Sequence, residues 1–394
     1  MIERICNLSK FIDKKRSVFL FGARGTGKTS FIKNWLSIHP QKHIYLDFLN
    51  NSVFRRYFEN PDLLIGEVAS LIQTDGSALV VIDEVQKVTK ILDTVHLLIE
   101  KHPGKAIFIL TGSSARKLKR GGANLLAGRA ITNYMFPLTS YECDLDLERT
   151  LQFGTLPGIY LSDGLEVETL ESYINTYLRE EILEESLVRK LENFIRFIEV
   201  AAQINGEPVS YTKLAKQCKV SPNTVADYYS ILQDTLIVHR LDGYSHSIKK
   251  QLLQAPKFYF FDCGVLNALN GELRTVLKKS TYRYGKLFET FVIQEIFRLN
   301  IYKNLGLRFH YWREKTGKEV DLLLSRSTAN PKVAIEIKSF SEPESLPVFK
   351  LIHDELPHVL QWCFCNVPRK VEIGGITYFP WREGLAELEK DLIF

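Results

Sequence analysis

Four side chains toward the end of the chain have the types and spacing for phosphodiester hydrolysis. Glu289 lies on an expected helix, Asp321 opens an expected strand, and Glu336 and Lys338 stand two apart on the next. In Val333-Ala334-Ile335-Glu336-Ile337-Lys338, strand alternation puts Glu336 and Lys338 on one face and Val333, Ile335 and Ile337 on the other. A carboxylate inside a buried strand is costly unless a metal or an ion pair meets it. Oxygens of Asp321 and Glu336 suit Mg2+, or Mn2+, which activates water and steadies a scissile phosphate, while Lys338 would stabilise the developing charge. Glu289 shares a stripe with Val292, Ile293 and Ile296, an unusual place for a spectator carboxylate. The same residues can also persist as ion pairs in a fold that no longer cuts.

A second constellation opens the chain. Gly22-Ala23-Arg24-Gly25-Thr26-Gly27-Lys28-Thr29, followed by Ser30, has the spacing of a loop that wraps nucleotide phosphates. Its glycines Gly22, Gly25 and Gly27 let backbone N–H groups turn toward an anion, with Thr26 between them, and the following helix adds favourable partial charge. Lys28 would reach the outer phosphates of ATP, and Thr29 would hold Mg2+ together with Asp83, at the end of Leu79-Val80-Val81-Ile82-Asp83. Glu84 would polarise the attacking water. Ser113 follows the next apolar run, where a polar side chain can sense the γ-phosphate; a capping role is its alternative. Arg129, after a basic stretch that includes Arg116 to Arg120, is a candidate arginine finger for a neighbouring copy or a solvated loop residue.

The elements that must position these residues fall into four blocks. Residues 1–136 alternate apolar strands with helices, and the continuous apolar runs predict a parallel sheet buried on both faces. His43–Asp47, between the two nucleotide motifs in sequence, reads as the added strand of an ATPase subclass that also carries a catalytic glutamate. Residues 137–190 read as a helical lid or linker, 191–250 as a winged helix-turn-helix, and 251–394 as the α/β block with the acidic constellation. In the third block Ser221-Pro222 marks a capped helix start, Leu236 to Leu241 reads as a wing strand, and Tyr244 to Lys250 as its partner or turn. Lys213, Lys216, Lys219, Asn223, Thr224, Lys249 and Lys250 favour DNA there, whereas a protein-binding role remains open.

Composition bounds the rest. The 394 residues, 45% hydrophobic and 25% charged, make an ordinary multi-domain α/β globular protein, and a net charge of +5 permits nucleic acid without demanding it. Six scattered cysteines lack zinc spacing, and the start Met1-Ile2-Glu3-Arg4 and the short apolar runs predict a cytoplasmic protein with no membrane span. Arg274, Lys278, Lys279, Arg283 and Lys286 precede Glu289 with no acid after Arg274, which suits phosphate attraction; Tyr311-Trp312-Arg313 can clamp a nucleic-acid strand or simply pack.

Taken together, these motifs resemble a prokaryotic family of AAA+-like P-loop ATPases with a C-terminal nuclease-like domain of the PD-(D/E)XK type. The resemblance covers nearly the whole chain. It rests on Gly22–Thr29, Ile82-Asp83-Glu84-Val85-Gln86-Lys87, Thr111-Gly112-Ser113-Ser114, Leu126-Ala127-Gly128-Arg129 and Phe136-Pro137-Leu138, then on Gly154-Thr155-Leu156-Pro157 and Tyr177-Leu178-Arg179. Lys257 to Gly264, Trp312-Arg313, Glu319-Val320-Asp321 and Glu336-Ile337-Lys338 extend it to the last domain. It implies Mg2+ and ATP use and DNA-linked work. The expectation is an ATPase coupled to a Mg2+-dependent endonuclease on duplex or branched DNA, such as Holliday junctions, in a homo-oligomer. The alternatives are a nucleotide-switched regulator with an inactive nuclease fold and a sequence-specific transcription regulator.

Overall fold

The computed structural model describes residues 2–114, 126, 128–162, 164–178, 191–245, 247, 251, 254–314, 316–327 and 330–390. Its first layer is a parallel sheet made from β1 (Ser17–Phe21), β2 (His43–Asp47), β3 (Ala78–Asp83), β4 (Ala106–Gly112) and β5 (Ala130–Tyr134), in the order β2-β3-β4-β1-β5. Alternation sorts the apolar side chains onto two faces. Phe19, Phe21, Val80, Ile82, Phe108 and Leu110 enter one core, and Val18, Leu20, Leu79, Val81, Ile107 and Ile109 the other. Both nucleotide motifs therefore sit at the carboxyl ends of strands that have no solvated face. The strand inserted between the two motif strands is β4, whereas β2 forms the sheet edge beside β3. Adjacency in sequence did not translate into adjacency in space, because each parallel strand returns through a helical crossover.

Beyond the sheet, three helices (Leu191–Gln203, Tyr211–Cys218 and Pro222–Asp234) lead into β6 (Val238–Gly243) and β7 (Lys257–Phe260). Ser210 and Ser221 cap the second and third helices by accepting from Lys213 N and Thr224 N. β6 pairs with β7, whereas Tyr244, at the start of the segment expected as its partner or turn, runs along a later strand, its N–H bonded to Tyr311 O at 2.7 Å. β7 is buried at all four of its positions, Lys257 included. Lys249 and Lys250 lie outside the described residues.

The remaining strands are β8 (Arg308–Arg313), β9 (Glu319–Ser325), β10 (Val333–Ile337), β11 (Leu360–Cys365), β12 (Val371–Ile373) and β13 (Ile376–Pro380). They join β6 and β7 in one mixed sheet, β12-β13-β11-β10-β9-β8-β6-β7. Its centre is an antiparallel β8-β9-β10 meander followed by helix Val348–Glu355 and a parallel β11. One apolar core spans the capped helices and this sheet, with the Tyr229 ring stacked 3.8 Å from that of Phe258.

The 22-residue helix Tyr282–Lys303 runs through the middle of this assembly, and its buried polar residues Thr290, Gln294, Glu295 and Arg298 all find partners. Asn205 Nδ2 donates to Thr290 Oγ1 at 2.8 Å, and Gln294 Nε2 donates to Phe260 O at 2.9 Å. Arg298 donates to Phe261 O at 2.6 Å and to Leu138 O at 3.2 Å, while Glu295 accepts from Ser140 N at 2.8 Å. One turn on, Phe136 N donates to Tyr302 Oη at 2.9 Å. The long helix thus holds both the segment leaving the parallel sheet and the strands of the mixed sheet. Arg298→Leu strands the Glu295 carboxylate, and urea unfolding should register a loss of roughly 3–5 kcal/mol. Lys390→Ala, which removes an exposed ion pair with Glu387, should leave the midpoint unchanged.

Candidate functional site

The phosphate loop leaves β1 in a conformation that only its own glycines permit. A Cβ on Gly22 would stand 2.3 Å from Met135 O, and Gly25 and Gly27 hold φ of +84° and +91°. Thr26 is buried and bonds Ala23 O at 2.9 Å, stiffening the turn. Lys28 Nζ donates to Gly22 O at 2.7 Å and Ala23 O at 3.3 Å, folded over its own loop. Across the gap to β3, Thr29 Oγ1 donates to Asp83 Oδ2 at 2.7 Å. That contact brings a hydroxyl and a carboxylate together, the oxygen donors that suit Mg2+. Lys28, Thr29, Ser30 and Glu84 line a cavity of about 1100 Å3 whose far side is apolar, with Ile5, Trp35, Ile38 and Met135.

Four residues to which the sequence assigned no role of their own, Thr111, Tyr45, Gln86 and Arg4, complete the surroundings of the loop. Thr111 Oγ1 donates to Asp83 Oδ1 and accepts from Glu84 N at 3.2 Å, whereas Ser113, the expected sensor, accepts from the Gln86 amide at 3.3 Å. Tyr45 on β2 donates to Asp83 Oδ2 at 3.0 Å. Glu84 stands in the left-handed region at φ 58°, a strained position for glutamate, and Gln86 Nε2 donates to its carboxylate. Arg4 donates to Thr26 O at 2.9 Å, Phe136 O at 2.6 Å and Glu142 at 2.8 Å, so it ties the loop to the segment that the long helix grips. Thr111 was visible as a neighbour of Ser113; nothing in the sequence marks Arg4.

Arg129 sits at the opposite end of the sheet. It precedes Ala130, which pairs with Ser17 at the start of β1, and its guanidinium lies 2.5 Å from Glu100. Within one chain it is remote from the loop. The basic stretch from Arg116 to Arg120 lies outside the described residues.

In the mixed sheet, Asp321, Glu336 and Lys338 converge. Lys338 Nζ lies 2.5 Å from Glu336 Oε2 and 3.5 Å from Asp321 Oδ2, and Asp321 Oδ2 also accepts from Ile337 N at 2.8 Å. Glu289 approaches from the long helix but is held apart: Tyr259 donates to its Oε1 at 2.8 Å and Lys286 to its Oε2 at 3.0 Å. Glu336 Oε1 is buried with no hydrogen-bond partner. Burial, then the Asp321 charge, push the Glu336 carboxyl up to about 8 despite the Lys338 ion pair. Burial works against the Lys338 ammonium, but Asp321 and Glu336 outweigh it and raise its affinity for the proton. Among the described residues no group of three or more His, Cys, Asp or Glu side chains is arranged to hold a metal. The orphaned Glu336 oxygen beside a second carboxylate nevertheless fits a hard dication as a donor set, with Lys338 standing between the two acids.

One expectation is qualified here and one open alternative is decided. The run of basic residues ahead of Glu289 is largely neutralised by acids from elsewhere: Arg274 by Glu171 at 3.3 Å, Lys279 by Glu148 at 2.5 Å and Arg283 by Glu272 at 3.4 Å. Tyr311 and Trp312 pack and do not clamp. Both are buried, Tyr311 bonding Ala255 O at 2.5 Å and Trp312 bonding Glu355 at 3.0 Å.

Comparison with known proteins agrees with the first of these sites. Residues 14–143 match the model of the AAA domain. Residues 14–143 are thus similar to an AAA-type ATPase domain. Such a domain binds ATP, typically with Mg2+. Residues 144–275 and 284–383 match two domains of unknown function, DUF8612 and DUF4143. An uncharacterised protein of Mycobacterium tuberculosis is 26% identical over 68% of this chain, and the chain spans about 60% of that relative's length. An uncharacterised protein of Methanocaldococcus jannaschii is 24% identical over 94% of this chain and 84% of its own. A solved structure of the replication initiator DnaA, bound to AMPPCP and single-stranded DNA, is 15% identical over 58% of this chain and 84% of its own, with a TM-score of 0.24. That superposition is too loose to carry function across. No helix among the described residues is long and apolar enough to cross a membrane.

Two outcomes follow from this geometry. Thr111→Val should lower ATP turnover about tenfold, the loss of one positioning hydrogen bond, and by more than Ser113→Ala, measured as phosphate release. In metal-free protein, unfolded Glu336 ionises near 4.5 but the folded group only near 8. The folded state therefore binds the extra proton in that window, and stability falls as pH rises from 4.5 to 8. Urea midpoints of Glu336→Gln, taken against wild type across the same range, should lack that component of the fall.

Proposed function

We propose that the chain is an ATP-driven DNA-processing protein whose AAA-type domain works with a divalent-metal endonuclease in the mixed-sheet domain. The observation that carries this reading is the convergence of Asp321, Glu336 and Lys338 around a buried, unpartnered Glu336 oxygen. Asp321 and Glu336 would hold Mg2+ or Mn2+, which supplies water activation and charge neutralisation at a phosphate. The chain's own part is positional. Ile337 N orients Asp321, Tyr259 keeps Glu289 facing the cluster, and Lys338 places a permanent positive charge where an oxyanion develops. Helix Glu289, strand Asp321 and strand Glu336 follow one another in the chain order on which the PD-(D/E)XK reading rests, and that order supports it.

At the other site Lys28 would bind the outer phosphates, Thr29 and Asp83 would hold Mg2+, and Glu84 would polarise the water. The Gln86 contact keeps Glu84 strained until nucleotide rearranges it. Exposed Lys213, Lys216, Lys219 and Asn223 on the capped helix pair offer DNA a basic face, as a winged helix would. Branched DNA such as a Holliday junction is the substrate proposed, acted on by a homo-oligomer in which Arg129 serves a neighbour's site.

Lys338 bridging both acids favours a second reading, a nucleotide-switched DNA- or protein-binding regulator whose end domain retains ion pairs only. Incubation with linear, single-stranded and four-way junction DNA plus Mg2+ or Mn2+ separates the two. The nuclease reading expects junction cleavage that falls about a hundredfold or more in Asp321→Ala, Glu336→Ala and Lys338→Ala. Intact DNA throughout, with ATP hydrolysis that disappears in Lys28→Ala, would leave the switch.

A further inference from the structure

The basic residues ahead of Glu289 part company in the fold. Arg274, Lys279 and Arg283 are paired with distant acids, but Lys286 turns inward, its Nζ 3.0 Å from Glu289 Oε2. It comes from the helix and Lys338 from the strand side, so two lysines flank the acids from opposite elements: Lys286 contacts Glu289 and feels the Asp321 charge, and Lys338 contacts Asp321 and Glu336 and feels the Glu289 charge. Their freedom differs. Lys338 touches both Asp321 and Glu336, whereas Lys286 is held by Glu289, and its side chain is 30% exposed. Glu289 does not need Lys286 to stay in place, because Tyr259 holds its other oxygen at 2.8 Å and the helix around it is buried.

Charge decides what Lys286 can do. Three carboxylates against two ammonium groups leave no surplus positive charge, whether or not Glu336 holds a proton, so the cluster alone does not attract a phosphate. A divalent cation supplies that surplus and competes with Lys286 for the Glu289 oxygen. We infer that Lys286 is a phosphate-binding residue of this site: cation binding frees its ammonium from Glu289, and the freed ammonium, one helical turn away and open to solvent, takes a backbone phosphate of the DNA. The inference rests on the mixed-sheet cluster being a metal and DNA site, as proposed above, but not on cleavage.

The test uses the full chain without nucleotide and reads two bindings with opposite expected signs. Mn2+ affinity is measured by calorimetry, and affinity for a fluorescein-labelled DNA duplex by anisotropy with and without Ca2+. Lys286→Met should bind Mn2+ about threefold tighter or more, because a positive charge beside the cation is gone. The same variant should lose about tenfold of the Ca2+-stimulated gain in DNA affinity, and Lys286→Arg should restore it. A residue that merely supports the fold would weaken both bindings or neither, and either result overturns the inference. So does a wild-type protein whose DNA affinity ignores Ca2+. Ca2+-stimulated binding that is lost in Lys286→Met, in a protein that cuts no DNA, upholds Lys286 and removes the nuclease.

Discussion

The buried ion pair of Glu295 and Arg298 is the interaction on which the rest of the molecule depends. Both side chains are almost wholly excluded from water, 3.2 Å apart, on a helix that is buried on nearly every side. Two charges in such a place need further hydrogen bonds to offset their desolvation, and Arg298 Nε is left without one. The partners come from Leu138, Ser140 and Phe261, segments far apart in sequence, so satisfying the pair forces those segments together. The long helix is therefore a shared wall between the ATPase layer and the mixed sheet, not a spacer between independent domains.

That wall has two working ends. Its carboxyl end, through Tyr302 and the Phe136 backbone, meets Arg4, which in turn holds the carbonyl of Thr26 in the phosphate loop. Its amino-terminal half presents Glu289 and Lys286 to the acids of β9 and β10. A strained Glu84 at one site and an unpartnered Glu336 oxygen at the other are two of several places where the fold leaves local chemistry unsatisfied. Strain and orphaned polar atoms persist only where the surroundings over-determine them, and here both coincide with the residues whose types first pointed to chemistry.

The two sites were legible in the sequence to different degrees. Gly22, Gly27, Lys28 and Thr29 act through backbone geometry and contiguous spacing, so a short string was enough to place them. Asp83 lay at the end of an apolar run whose partner strands were also readable. Glu336 and Lys338 shared a face, as alternation required, and Val333, Ile335 and Ile337 entered the core opposite them. Less legible was whatever depended on long-range pairing. The Tyr244 to Lys250 segment looked like the partner of β6 because it came next, yet a hairpin partner is chosen by which edge can be buried, and β7 won. The basic residues before Glu289 looked like a phosphate track because their neutralising acids, Glu148, Glu171 and Glu272, come from other segments or another side of a turn.

By itself the sequence determined the phosphate loop, the acid that answers it on β3, the parallel ATPase layer and the membership of the acidic cluster. Each of these rests on local rules: glycine at positive φ, strand alternation, helix caps and apolar runs. Only the tertiary structure decided that β4 separates the two motif strands, that Thr111 rather than Ser113 touches Asp83, and that Arg4 braces the loop. It also decided which lysine answers which carboxylate. The physical reason is the same in each case: a charge or a hydrogen-bond donor is defined by what lies within a few ångströms, and in this chain those neighbours arrive from segments that spacing along the sequence cannot bring into view.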